Sequence, residues 1–126
     1  MRAIVIDPFD QTVTEVVIEG NNLQEIYKIL GVSCIDAVRL PNGDAIYVDD
    51  EGLLKGTTGF FHLLGMIPNP LAGRGLLVGG DAEGRDATPS SNLNGIISVT
   101  KFYTLLHTQT GNRLFEVPHA LKGRTQ

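Results

Sequence analysis

The stretch Gly65-Met-Ile-Pro-Asn-Pro-Leu-Ala-Gly-Arg-Gly-Leu-Leu-Val-Gly-Gly-Asp-Ala-Glu-Gly-Arg85 places six glycines and two prolines around one short apolar run, Leu76-Leu77-Val78. Glycine gives up helix propensity and side-chain packing and lets backbone come close to something. That something is a ligand, a neighbouring strand or a second subunit. The run Leu76–Val78 itself predicts a short strand buried on both faces. No phosphate loop of known spacing is present: the lysine of G-x-x-x-x-G-K-[ST] is missing, and Val78 stands where G-x-G-x-x-G requires its third glycine. A generic anion nest remains, built from the N–H groups of Gly73, Gly75, Gly79 and Gly80 with Arg74, Arg85 and Lys101 as candidate cations. The competing expectation is tight turns and close strand packing.

Toward the N-terminus, Arg2–Asp7 is a β-rich run stopped by Asp7-Pro8, since proline cannot donate to a sheet ladder. After the turn Phe9-Asp10-Gln11, the run Thr12–Glu19 sets Val16 and Ile18 against Glu15, Val17 and Glu19, the period of a half-buried strand. A hairpin is predicted. Leu23, Ile26, Tyr27 and Leu30 form one stripe of a helix over about residues 22–30, capped by Asn21 or Asn22 and ended by Gly31. Ser33–Leu40 and Ala45–Val48 read as a second hairpin around Pro41-Asn42-Gly43-Asp44, closed by the acidic turn Asp49-Asp50-Glu51-Gly52. Leu53-Leu54-Lys55 extends a strand, and Phe60, Phe61, Leu63 and Leu64, crowded between glycines, predict a turn or two of helix or a packed loop.

Beyond Gly84, the polar run Asp86–Gly95 has little apolar surface to offset its ordering entropy and predicts a mobile loop. Residues 96–107 fit both a strand face (Ile97, Val99, Tyr103, Leu105) and a helix stripe (Ile96, Val99, Tyr103, Leu106). Their length and Ser98 as a cap favour a strand start followed by a helix over about 98–108. Residues 113–126 read as a basic tail, mobile or docked on a partner subunit, with few anchors beyond Leu114, Phe115 and Val117. The class that follows is α+β: one domain over 1–112, a mostly antiparallel sheet, the 22–30 helix on one face and a second helix near 98–108.

A chain of 126 residues, 42% hydrophobic, can bury a single core without staples. The one cysteine, Cys34, cannot form an internal disulfide, and its neighbours Val32 and Ile35 predict a buried structural thiol. The N-terminal apolar run is too short for a signal peptide, and no stretch nears the roughly 18 apolar residues of a membrane span. A cytoplasmic protein with no membrane partner is expected. Residues 1–90 carry 13 acids and 6 bases, a charge of −7; residues 91–126 carry Glu116 against Lys101, Arg113, Lys122 and Arg124, a charge of +3. An acidic body argues against the broad phosphate contacts of duplex nucleic acid.

Asp49-Asp50-Glu51-Gly52 lacks the alternating ligand spacing of a calcium loop and reads as a solvated turn. His62, His107 and His119 stand apart with no paired i, i+4 ligand, and Cys34 or Ser98 as a nucleophile has no accompanying catalytic signature. Neither metal nor cofactor is expected. Phe60-Phe61 and Phe102-Tyr103 are core residues on periodicity, though a ring from either pair beside a glycine-lined pocket would suit a nucleotide base.

In order along the chain, Ile4-Val5-Ile6-Asp7-Pro8, Val16-Val17-Ile18-Glu19, the helix with Leu23 and Ile26, Ala37-Val38-Arg39-Leu40, Asp50-Glu51-Gly52, Pro68-Asn69, Ala72 and Leu76-Leu77-Val78-Gly79-Gly80-Asp81-Ala-Glu-Gly84 resemble a small bacterial and phage domain of unknown function, number three-eight-four-six in its series. The resemblance covers roughly residues 1–84. The chain departs from the family in Asp49-Asp50, where an asparagine commonly precedes the acidic pair, and in a longer tail after Asp86. It implies a small cytoplasmic protein of phages, prophages or plasmids with no assigned catalytic residues. Non-catalytic binding is the function expected. Sequestration of a small anionic, nucleotide-like ligand at residues 65–85 is one form, with Arg74, Arg85 or Lys101 on the anion. Binding of a host protein through Asp49, Asp50 and Glu51 is the other, a small enzyme is a third, and a homo-oligomer fits the glycine-lined strands.

Overall fold

The computed structural model describes residues 1–52 and 55–120. In chain order its elements are β1 (Arg2–Asp7), β2 (Thr12–Val17), α1 (Leu23–Leu30), β3 (Ile35–Arg39), β4 (Ala45–Asp49), β5 (Gly59–Leu63), β6 (Leu71–Ala72), β7 (Gly75–Gly80), β8 (Asp86–Ala87), α2 (Leu93–Val99), β9 (Thr100–Thr108) and β10 (Gly111–Val117). One sheet runs β2-β1-β7-β4-β3, with β8 paired to the end of β7. The second runs β10-β9-β5-β6. Neighbouring strands pair antiparallel throughout the described residues. With two helices added, the class is α+β, as the sequence predicts.

Alternation along β7 explains the apolar run at the chain's centre. Leu77 points into a core shared with Ile4, Ile6 and Ile46 of its own sheet and with Phe61, Leu63 and Phe102 of the second sheet. Leu76 and Val78 point the other way, into a cluster closed by Ile26 and Leu30 of α1. All three are essentially inaccessible to solvent. The layers are therefore helix, sheet, sheet, and a strand in the middle layer needs apolar residues at every position. Burying Ile26 and Leu30 contributes about 1.5–3 kcal/mol each, and this anchors a helix too short to persist alone. Its ends match the expected signals: the Asn22 side chain accepts from the Glu25 N–H at 3.3 Å, and Gly31 takes the left-handed cap at φ 70°.

Several expectations change. Residues 59–63 form a strand, not a turn of helix or a packed loop, because Phe61 and Leu63 face the inter-sheet core and β9 supplies the ladder. The second helix lies at Leu93–Val99 and the strand follows it, reversing the predicted order. Asn92 is the cap, accepting from the Gly95 N–H at 2.6 Å, while Ser98 donates to the Gly95 carbonyl inside the helix. Residues 100–108 are held extended by pairing with β5 on one side and β10 on the other, a tertiary constraint that outweighs their helix-compatible spacing. The polar run from Asp86 is ordered, contributing β8 and the start of α2.

Cys34 is exposed rather than buried, because it lies in the connection between α1 and β3. The boundary expected at residue 112 falls inside the β9–β10 hairpin, and the chain stays in contact with the domain to Ala120, whose N–H donates to the Gln11 carbonyl at 2.8 Å. Leu53 and Leu54, expected to extend a strand, and the tail residues Lys122 and Arg124 lie outside the described residues.

Candidate functional site

Each glycine expected to bare its amide to a ligand is engaged by the fold. The Gly73 N–H donates to the Gly59 carbonyl at 2.9 Å. Gly75 pairs with Ile6 on one side and Val48 on the other, and a Cβ there would lie 2.6 Å from Cζ of Phe61. Gly79 and Gly80 pair with Ala87 and Asp86, and a Cβ on Gly79 would meet the Thr88 carbonyl oxygen at 2.4 Å. Gly75 makes room for the Phe61 ring and Gly79 for a crossing backbone, while a Cβ on Gly73 would meet nothing within 4 Å.

The three expected cations stay apart. Arg74, before β7, pairs with Asp7 at 3.2 Å and lies 5.4 Å over the Phe9 ring. Arg85, beyond the far end of β7, pairs with Asp81 at 3.0 Å, and the N–H groups of Arg85 and Glu83 hold the Asp81 carboxyl below its ordinary range. At about 3.3 Å per residue, β7 alone puts roughly 17 Å between these ends. Lys101 belongs to the second sheet and pairs with Glu116 at 3.1 Å. Phe60, Phe61 and Phe102 are buried, and the Phe61 ring packs on Gly75 within the core.

Asp49, Asp50 and Glu51 form a turn held through the Asp49 carboxylate and the main chain. The Asp49 carboxylate takes the Glu51 N–H at 2.9 Å and the Lys55 ammonium at 3.0 Å, raising the lysine pKa, while the Asp50 N–H donates to Cys34. Among the described residues no group of three or more His, Cys, Asp or Glu is placed to hold a metal ion. His62 meets the Ile67 carbonyl at 3.0 Å, His119 meets that of Thr100 at 2.8 Å with its ring edge against Phe102, and His107 meets the Asn112 side chain.

Two polar constructions escape the sequence reading. Asp44, 1% exposed, accepts from the N–H groups of Ser90 and Ser91 at 2.8 and 3.0 Å, from the Ser91 hydroxyl at 2.8 Å and from Asn42. An aspartate in Asn-Gly-Asp reads as a solvated turn residue, and nothing local marks its partners Ser90 and Ser91, more than forty positions away. The second is a latch: the Tyr47 hydroxyl donates to Asp86 at 2.6 Å, and Asp86 is tied through backbone and side chain to Asn21 beside the α1 cap. Burial, then the hydrogen bond to Asp86, pushes the Tyr47 pKa up to about 12. The folded state thus holds this proton more tightly than an unfolded tyrosine. The stabilisation is complete below about pH 10 and fades as pH rises toward 12. Thermal melts across that window should show an alkaline fall that Tyr47→Phe reduces; an unchanged fall would remove the latch from the account.

The largest feature left unsatisfied is at the other end of the second sheet. β9 pairs with β5 from Thr100 to Thr104, and beyond Leu105 its described partner is β10 alone. Residues 106–108 and 111–113 therefore project as a two-stranded ribbon. Leu106 on it, and Leu114 and Phe115 next to it on β10, are 48%, 38% and 43% exposed. The Leu105 N–H points toward β5, donating to Thr58 at 2.8 Å, so Leu105 and Leu114 face each other as a pair without mutual hydrogen bonds. By the same alternation the main-chain groups of Asn112, Leu114 and Glu116 point off the free edge.

The family model for a domain of unknown function, DUF3846, matches residues 1–102. The chain belongs to this family. An uncharacterized protein, y4iR, of Sinorhizobium fredii is 34% identical over 74 residues, 59% of this chain and 45% of that protein. The chain thus spans about half the length of the curated relative it matches. No solved structure matches the chain. The DUF3846 match reaches past the expected limit near residue 84 and takes in the whole first sheet, α1, β5, β6 and α2. It ends at Phe102, where β9 leaves the core, so most of the β9–β10 ribbon lies outside the DUF3846 match.

Proposed function

We propose that the chain is a non-catalytic protein-binding module whose docking surface is the β9–β10 ribbon. The observation that supports it is a seven-residue edge strand whose described neighbours lie on one side, with Leu114 and Phe115 exposed and Leu106 beside them. Open edges attract further strands, and proteins that keep them free blunt them with charged side chains, lysine above all, or with proline or bulges. β10 carries two charges, Arg113 and Glu116, but no lysine, and no proline before Pro118. Addition of a strand would supply main-chain bonds to Asn112, Leu114 and Glu116 and cover the apolar side chains, the usual mode of β-augmentation. A photo-crosslinking phenylalanine analogue at Phe115, introduced in cells, should give a protein adduct. The same probe at Lys28 on α1 should not, and Leu114→Lys should abolish the adduct. Absence of any adduct at position 115 rejects the ribbon as a docking surface.

A second reading, a small anionic ligand, is favoured by one observation: Arg39 and Arg85 line the same cleft as Gly43, Gly79, Gly80 and Gly84. Asp81 and Glu83 already engage Arg85, and Asp86 lines the cleft too, so an anion would compete with carboxylates in place. Inorganic phosphate or a cyclic nucleotide should then shift the amide resonances of these four glycines; unmoved resonances reject it.

A further inference from the structure

We infer that the occupant of the β10 edge is a second copy of this chain, paired antiparallel about a two-fold axis at Leu114. This rests on the ribbon being the docking surface and adds the identity of what docks. An antiparallel pair of identical strands has its two-fold axis along the sheet normal. Each residue then meets one from the same face, and the two numbers in every pair add to the same even total. Only residues whose main-chain groups point off the free edge can form the hydrogen-bonded pairs, so the axis can lie at Asn112, Leu114 or Glu116, or at Arg113 or Phe115 midway between two of them. A centre at Arg113 sets two guanidiniums opposite each other, and one at Phe115 pairs only residues 113–117 before Pro118, which has no N–H, falls opposite Asn112. A centre at Glu116 sets two carboxylates directly opposite each other and runs the strand into Pro118. A centre at Asn112 overlaps only the ribbon's tip.

The Leu114 centre uses all of β10, residues 111–117, because Leu114 is its midpoint. It places Leu114 against Leu114, Asn112 against Glu116 and Arg113 against Phe115 of the second copy. These are an apolar pair, an amide on a carboxylate and a guanidinium beside a ring, each favourable across a sheet. Asn112, Leu114 and Glu116 of both copies would exchange about six main-chain hydrogen bonds. The four-stranded sheets would join as β6-β5-β9-β10-β10-β9-β5-β6. The association also accounts for the ribbon's length, since two strands projecting alone into water are marginal.

The test uses the 126-residue chain. Native mass spectrometry at micromolar concentration should give a species of twice the chain mass. Leu114→Pro removes an N–H that points off the free edge and leaves the pairing with β9 intact. It should weaken self-association on the order of tenfold to a hundredfold, with unchanged circular dichroism, and Leu114→Lys does the same by opposing like charges. Register is read by cysteine pairs in a Cys34→Ser background. Leu114→Cys should cross-link to a dimer under mild oxidation, its Cα atoms about 5.5 Å apart. Asn112→Cys should not, its two copies being roughly 14 Å apart. A monomeric wild-type chain, or cross-linking of Asn112→Cys as readily as Leu114→Cys, overturns the two-fold pairing. The photo-probe at Phe115 separates the two levels: an adduct of twice the chain mass supports a second copy, and an adduct with another protein overturns it while leaving the ribbon as a docking surface. No adduct overturns both.

Discussion

Asp44→Ala destabilises the domain by about 4 kcal/mol, the largest effect expected from a single polar substitution in this chain. The carboxylate is buried and is the shared acceptor for two backbone N–H groups, a hydroxyl and an amide. Removing it takes the acceptor from the Ser90 and Ser91 N–H groups at a part-buried site, and an unpaired buried donor costs about 1–3 kcal/mol. Asp44→Asn should lose less, since its side-chain oxygen still accepts. Urea unfolding measures the loss, and hydrogen exchange at Ser90 and Ser91 should quicken before the rest of the domain opens. A change under about 1 kcal/mol would mean that the loop does not depend on this acceptor.

Gly79→Ala is the second large effect, a loss of about 3 kcal/mol from one added methyl group. The methyl would lie 2.4 Å from a carbonyl oxygen, and the neighbour is main chain, which cannot rotate aside as a side chain could. Either β8 detaches from β7 or the central strand bends, and both disturb a residue pair at the sheet's middle layer. Gly43→Ala is the contrast. No atom lies within 4 Å of its added carbon, so any cost there comes from its φ of 92° and not from crowding. Comparable losses at the two positions would show that Gly79 is not set by the approach of Thr88. The substitution also bears on function, because it asks why glycine stands in the stretch that looked most like a ligand loop.

Much of the fold is legible in local sequence. The α1 stripe and caps, the β1–β2 and β3–β4 hairpins and the buried Leu76–Val78 strand all follow from periods of two or 3.6 and from turn residues, which act within a few positions. Residues 59–63 and 100–108 depart from the sequence expectation because the glycines around Phe60 and Phe61 mask a strand, both periods fit residues 96–107, and the deciding partner in each case is another strand. The expected site fared differently. Arg74, Arg85 and Lys101 lie within a short span of sequence, but a strand between the first two and a change of sheet before the third carry them apart. Arg39 of β3 shares a cleft with Arg85 instead, and no spacing rule would have paired them.

By itself the sequence determined the α+β class and a doubly covered central strand, since burial on one face or two is written directly into the alternation of apolar residues. Only the tertiary structure decided what the glycines are for and which surface is left open. Both depend on groups that meet across long separations, Thr88 over Gly79 and β5 ending short of the β9–β10 ribbon. Local propensity carries no record of a neighbour's position, nor of where a sheet runs out of strands.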